Sequence, residues 1–117
     1  MAHGIDALPE QIDPSESEHL FIKVGDDKTS IIFVKPTTPV HALATRIRSL
    51  IDEGHPVITR AMGAGASHQA IKAWAIVSQR YPMSGYELFI QPFFQTVSWH
   101  GTPSSAICLQ GFVIQPA

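Results

Sequence analysis

The period of the apolar residues changes several times along this chain, and each change predicts an element. Leu20-Phe21-Ile22-Lys23-Val24 and Ser30-Ile31-Ile32-Phe33-Val34 are short runs rich in β-branched and aromatic residues. The Gly25-Asp26-Asp27-Lys28-Thr29 connection between them is typical of a β-hairpin. Lys35-Pro36 ends the second run, because proline has no N–H to give and restricts the residue before it. From Thr38-Pro39 the period becomes helical. Val40, Leu43, Ala44, Ile47, Leu50 and Ile51 fall on one stripe, and His41, Thr45, Arg46, Arg48, Ser49 and Asp52 take the remaining arc. Thr38 reads as the N-cap with Pro39 in the first helical position. Gly54 and Pro56 supply the stop.

The short apolar run over residues 57–62 predicts a central strand covered on both faces. It passes through Gly63-Ala64-Gly65-Ala66 into a second helical segment, about 66–80. Glycine at 63 and 65 allows positive φ and close approach. A strand-to-helix turn of this kind aims backbone N–H groups at one spot, so residues Gly63, Gly65, Ala66 and Ser67 form a candidate anion-binding turn. The alternative is a tight turn with a purely packing role, since neither G-x-G-x-x-G spacing nor a following Gly-Lys-Ser/Thr is present. The second helix is apolar nearly all round, with only a narrow polar stripe near His68, Lys72 and Gln79. Such a helix suggests a second interface, most simply a homodimer.

Residues 81–85 read as a loop. Residues 87–99 alternate imperfectly, with Pro92 marking an edge or bulge. His100-Gly101-Thr102-Pro103-Ser104 reads as a turn and residues 105–114 as the closing strand. The order βαβαββ, with an additional N-terminal strand, predicts an α/β two-layer sandwich: two helices on one face of a mixed sheet of four to five strands.

Length and charge then narrow the class. A chain of 117 residues is long enough for one domain with its own core. Residues 1–18 hold Asp6, Glu10, Asp13, Glu16 and Glu18 with no lysine or arginine, which predicts a flexible acidic arm ahead of a single domain over 19–117. Ile5, Leu8 and Ile12, at roughly helical spacing, are an alternative docking stripe for a partner. All eight Lys and Arg residues lie beyond the arm against five acids. That mild excess permits nucleic-acid binding without announcing it. The lone Cys108, set in Ala106-Ile107-Cys108-Leu109, reads as a buried thiol and fits a reducing cytoplasm. No apolar stretch is long enough to span a bilayer.

The residues of the central junction carry a resemblance. Met62-Gly63-Ala64-Gly65-Ala66-Ser67-His68-Gln69-Ala70-Ile71-Lys72-Ala73-Trp74-Ala75-Ile76 resembles the signature I-G-A-G-A-x-N-Q-A-x-K-A-x-A-I of the stage V sporulation protein S family. Ser84-Gly85-Tyr86-Glu87-Leu88 and Ile90-Gln91-Pro92-Phe93-Phe94 are similar to that family's S-G-x-x-L and I-P-x-F. The resemblance covers roughly residues 31–116. It implies an Alba-like fold, related to the C-terminal domain of bacterial initiation factor three, and a role as a small bacterial developmental regulator. Alba proteins dimerise and bind DNA or RNA through the loop before the first helix, the dimer face and the terminal hairpin. This chain departs from the pattern in its acidic arm, its extra strand, His68 where asparagine is usual, and a terminal hairpin with no Lys or Arg after Glu87.

For chemistry, the six histidines show no H-x-x-x-H, C-x-x-C or H-E-x-x-H spacing, so neither a metal site nor a cofactor is expected. No G-x-S-x-G elbow is present, and Asp26-Asp27 and Asp52-Glu53 read as turn and helix-end residues; an enzyme is not expected. The candidate contacts for nucleic acid or a partner are Lys35 before the first helix, Arg46 and Arg48 on its polar face, Arg60 entering the glycine turn, His68 and Lys72. Trp99 and His100 join them at the hairpin tip, where they could stack on bases. The rival reading is a self-assembling or protein-binding module that uses exposed sheet edges and the Phe89, Phe93, Phe94 and Trp99 cluster. A weaker one is capture of a nucleotide or small anion on the glycine turn.

Overall fold

The computed structural model describes residues 19–24, 27–80 and 85–114, with side chains from residue 29 onward. Seven elements follow in order: β1 (His19–Val24), β2 (Asp27–Val34), α1 (Val40–Asp52), β3 (Val57–Ala61), α2 (Ala64–Ser78), β4 (Glu87–Trp99) and β5 (Thr102–Ile114). The strands form one sheet in the order β1-β2-β3-β5-β4. β2 and β3 are parallel, joined by the crossover through α1, and every other neighbour pair is antiparallel. The predicted two-layer α/β class with a mixed sheet is therefore what the chain adopts. The predicted acidic arm lies outside the described residues.

Alternation along the strands sorts the sheet into two faces. Ile32, Val34, Val57, Ala61 and Leu109 point to the helices, where they meet Leu43, Ala44, Ile47 and Leu50 of α1 and Ala66, Ala70, Ala73, Trp74 and Val77 of α2. Each large aliphatic buried in this way contributes roughly 1.5–3 kcal/mol. The intervening residues Ile31, Ile58 and Cys108, with Phe93 against them, form a smaller cluster on the opposite face. β3 is buried at all five positions, as a strand central to the sheet should be.

Local chemistry moves several predicted boundaries. The residue in the N-cap position of α1 is Pro39, with no side-chain cap. The Thr38 hydroxyl instead accepts a hydrogen bond from the Lys35 N–H at 2.8 Å, closing the turn before the helix rather than capping the helix. The C-terminus of α1 follows its sequence signal. Gly54 takes a φ of 86°, and the N–H groups of Gly54 and His55 bond to the carbonyls of Ile51 and Leu50, the reciprocal pairing of a Schellman motif. α2 begins at Ala64, two residues before the predicted start. Gly63 sits outside it with a φ of 86°, whereas Gly65 lies within the first helical turn. Of the two glycines, only Gly63 takes positive φ.

The β4–β5 connection is tighter than its composition suggests. Trp99 pairs with Thr102, leaving a two-residue turn of His100 at φ 51° and Gly101 at φ 78°, the backbone of a type I′ hairpin. Pro103 and Ser104, predicted as turn, belong to β5. Pro103 can be accommodated because β3 pairs with β5 only from Ile107 to Gln110, so the side of Pro103 away from β4 has no ladder partner among the described residues.

Candidate nucleic-acid interface

Three chain segments meet at the end of the sheet where β2 and β3 finish. β2 ends at Val34 and leads into Lys35; β3 ends at Ala61 and leads into Gly63. Ala61 pairs with Ile107, so residues 102–106 of β5 and their partners on β4 run past β3 and carry the hairpin tip to the same end. The segments are tied to one another. The Gln69 side-chain amide of α2 donates to the Thr38 carbonyl at 2.8 Å. The Cβ that Gly65 lacks would stand 3.4 Å from Pro36 Cβ, so the first turn of α2 rests on the loop before α1. On the helix-free face Trp99 stacks on Phe33, ring centroids 6.1 Å apart, and His100 meets Trp99 edge-on at 4.7 Å.

The described carboxylates gather at the other end. Among the residues with described side chains, the carboxylates are Asp52 and Glu53 at the end of α1 and Glu87 at the start of β4. All three lie at the end of the molecule remote from the hairpin tip. Lys35 is half-buried beside the loop; Arg46, His68, Lys72 and His100 are exposed, and Arg48 and Arg80 lie toward the C-terminal ends of the two helices. Arg46 lines a recess of about 230 Å³ with Thr38, Pro39 and Ala42.

The sequence-predicted residues do not all join this surface. Arg48 lies between the helices, in a groove of about 150 Å³ shared with His41, Thr45 and Arg80, and its guanidinium reaches Asp52 at 3.3 Å. Arg60 is corrected outright as a surface contact: it is 2% exposed and points to the helix-free face. Its Nη2 donates to Gln95 Oε1 at 2.6 Å, and Cys108 opposite it in β5 directs its thiol to the same oxygen at 3.8 Å. Burial lowers the pKa of Arg60, opposed by the neighbouring Cys108. Burial likewise pushes the Cys108 thiol up, with Arg60 pulling the other way. The period-2 alternation of β3 carried the signal for this placement, because Ile58 and Arg60 must share a face.

The glycine turn is also partly occupied by its own chain. The Ser67 hydroxyl donates to the Gly63 carbonyl at 2.8 Å, and Ala66 is buried against the sheet. Gly63, Ala64 and Gly65 remain exposed. Gln69, which fastens α2 to the loop, escaped the sequence reading; its place on the narrow polar side of an otherwise apolar helix was the available sign. Among the described residues no group of three His, Cys, Asp or Glu side chains is placed to hold a metal, and no helix is long and apolar enough to cross a membrane.

Comparison with known proteins gives a family and structural likenesses. The family model described as Stage V sporulation protein S (SpoVS) matches residues 30–114, which spans α1, β3, α2 and both hairpin strands. No curated protein sequence matches. Among solved structures, Alba from Thermoplasma volcanium is similar at a TM-score of 0.48 and 16% identity, over 73% of this chain and 99% of that one.

Proposed function

Because the chain belongs to the stage V sporulation protein S family, we propose that it is a non-catalytic bacterial developmental regulator, working as a cytoplasmic homodimer that binds nucleic acid at the end of the sheet bearing the hairpin tip. The observation that supports this reading is the distribution of acids. Lys35 and Arg46 flank the loop before α1, and among the residues with described side chains Asp52, Glu53 and Glu87 all lie toward the other end. Cations gathered around a loop and a projecting hairpin can track a phosphate backbone, and His100 next to Trp99 at the tip offers a stacking edge. The hairpin carries no Lys or Arg, so affinity rests on the loop and helix cations while the tip supplies contact area.

Self-association is supported by an apolar patch on the helix side of the hairpin. Phe94 is 75% exposed and pairs across the strands with Ile107, and Ile71 of α2 is 54% exposed. Gln69 and Ile76 face α1, so helical spacing turns Ile71 to the other flank, toward the hairpin. Three large apolar side chains on one surface are more than a monomer needs to leave in water.

The test is fluorescence anisotropy with a mixed-sequence DNA duplex and a single-stranded RNA, each at two salt concentrations, beside light scattering. Binding that weakens steeply with salt, and that Lys35→Glu and Arg46→Glu each reduce, supports the reading. A concentration-dependent mass with no response to either nucleic acid would replace it with an assembly module.

A further inference from the structure

We infer that the helix-free face of the sheet is the docking site of this chain's own acidic N-terminal segment, residues 1–18, laid across Ile31, Ile58, Arg60 and Cys108. Register places two rows of side chains on that face. Phe33, Arg60, Cys108 and Phe93 stand in line across β2, β3, β5 and β4, and Ile31, Ile58 and Gln110 form the next row away from the hairpin tip. Both helices lie on the other face.

These rows are closed to water although no described helix or strand is layered over them. Ile31, Ile58, Arg60 and Cys108 are each at most 2% exposed. A sheet face with nothing on it keeps its side chains in contact with solvent, so this burial calls for a cover. Trp99 supplies one only at the tip end, where it stacks on Phe33. The second row stands two residues further from the tip along each strand. Gln110 in that row gives an independent sign. It is 8% exposed, and its Oε1 has no hydrogen-bond partner among the described residues. A buried acceptor without a donor is costly, and a segment crossing the face brings backbone N–H groups to it.

Chain length and the point of attachment select the occupant. β1 begins at His19, opposite Ile32, and so delivers the preceding residues to the sheet beside the end of β2. Neighbouring strands lie about 4.8 Å apart and an extended chain advances about 3.3 Å per residue, so the step from β1 to β3 takes about three residues and the step to β4 about six. Glu16 and Asp13 thus come within reach of Arg60, and Ile12 and Leu8 within reach of Phe93 and Ile58. Of the residues outside those described, only this stretch is long enough to cross the face.

Its chemistry complements the face. The segment carries Asp6, Glu10, Asp13, Glu16 and Glu18 and no Lys or Arg, while Arg60 sets a guanidinium in the middle of the face. A cation taken out of water favours a carboxylate beside it. Ile5, Leu8 and Ile12 supply apolar side chains for the cluster of Ile31, Ile58 and Phe93. Docking of the segment and nucleic-acid binding at Lys35 and Arg46 are separate contacts, and failure of one leaves the other standing.

The experiment uses the full-length protein with carbon-13 in its methyl groups. Nuclear Overhauser cross-peaks are expected between the Leu8 or Ile12 methyls and Ile31, Ile58 or the Phe93 ring. In a mixture of labelled and unlabelled protein, an isotope-filtered spectrum should contain none of them, because the contact lies within one chain. Asp13→Lys together with Glu16→Lys should abolish the cross-peaks, whereas Asp6→Lys, farther from His19 than the crossing requires, should leave them in place. Their absence from the wild type would overturn the proposal. So would their appearance in the filtered spectrum, which would seat the segment of a second copy on the face, or their persistence in the doubly substituted chain. All three substitutions precede residue 19, so the sheet and helices keep their own residues throughout.

Discussion

The six-membered ring of the Trp74 indole packs against Gly111. A Cβ built on Gly111 would stand 2.5 Å from Cη2 and Cζ3 of the indole. The ring has little freedom to withdraw, because its Nε1 donates to Thr59 Oγ1 at 2.9 Å and both partners are buried. One helix residue thereby spans β3 and β5, holding the sheet together across its centre. Gly111→Ala is expected to destabilise the fold by about 1–3 kcal/mol through overpacking. Trp74→Phe should cost a similar amount by leaving the Thr59 hydroxyl without its donor. Thermal unfolding of each variant and of the pair measures this, and the two effects should fall short of additive because both act on one contact.

The two glycines of the α2 junction should respond to alanine in opposite ways. Gly63 holds φ 86° and ψ 164°, a region that side chains avoid, so Gly63→Ala is expected to cost about 1–3 kcal/mol. Gly65 is helical, and its added Cβ would only touch Pro36 at 3.4 Å. Gly65→Ala should be neutral or stabilising by up to about 1 kcal/mol. Denaturant midpoints of the two variants decide between a junction built for backbone shape at residue 63 and one built for close approach at residue 65.

Arg60 should matter for stability and not for an electrostatic surface. Its guanidinium is buried and bonded to Gln95. Removing it takes away the 2.6 Å bond to the Gln95 oxygen. Arg60→Ala is expected to lower stability by about 1–3 kcal/mol while leaving the salt dependence of any nucleic-acid binding unchanged, in contrast to Lys35→Glu. A parallel loss of salt slope in Arg60→Ala would contradict its placement.

Cys108 makes stability depend on alkaline pH in a defined direction. Burial raises its pKa in the folded state above its ordinary value. Above about pH 8.5, where an unfolded thiol ionises, the unfolded chain therefore binds fewer protons than the folded one. The stability contribution is complete below that pH and is lost as pH rises toward the folded pKa. Chemical unfolding of the wild type should weaken between pH 8.5 and the thiol's raised pKa more than that of Cys108→Ala. Alkylation of the native protein at neutral pH should be slow and should track global unfolding.

Sequence by itself determined much of this protein. The helical stripe from Val40 to Ile51, the β-branched runs and the terminal alternation specify two helices on a mixed sheet, because burial of one face forces those periods. The residues at 62–76 carried the family. The same pattern also held the clue that Arg60 shares a face with Ile58, yet a charged residue beside a glycine turn reads as a surface group until the neighbouring strands are known.

Tertiary structure decided which of the named residues share a surface. Register across β3 and β5 sent the hairpin tip to the end that holds Lys35, and the opposite fall of Asp52, Glu53 and Glu87 followed from strand direction alone. β5 runs past β3 toward the tip because β3 is five residues long and β5 thirteen. A chain read one residue at a time reveals each strand's length but not where its partner stops. That depends on long-range pairing, which no local propensity encodes.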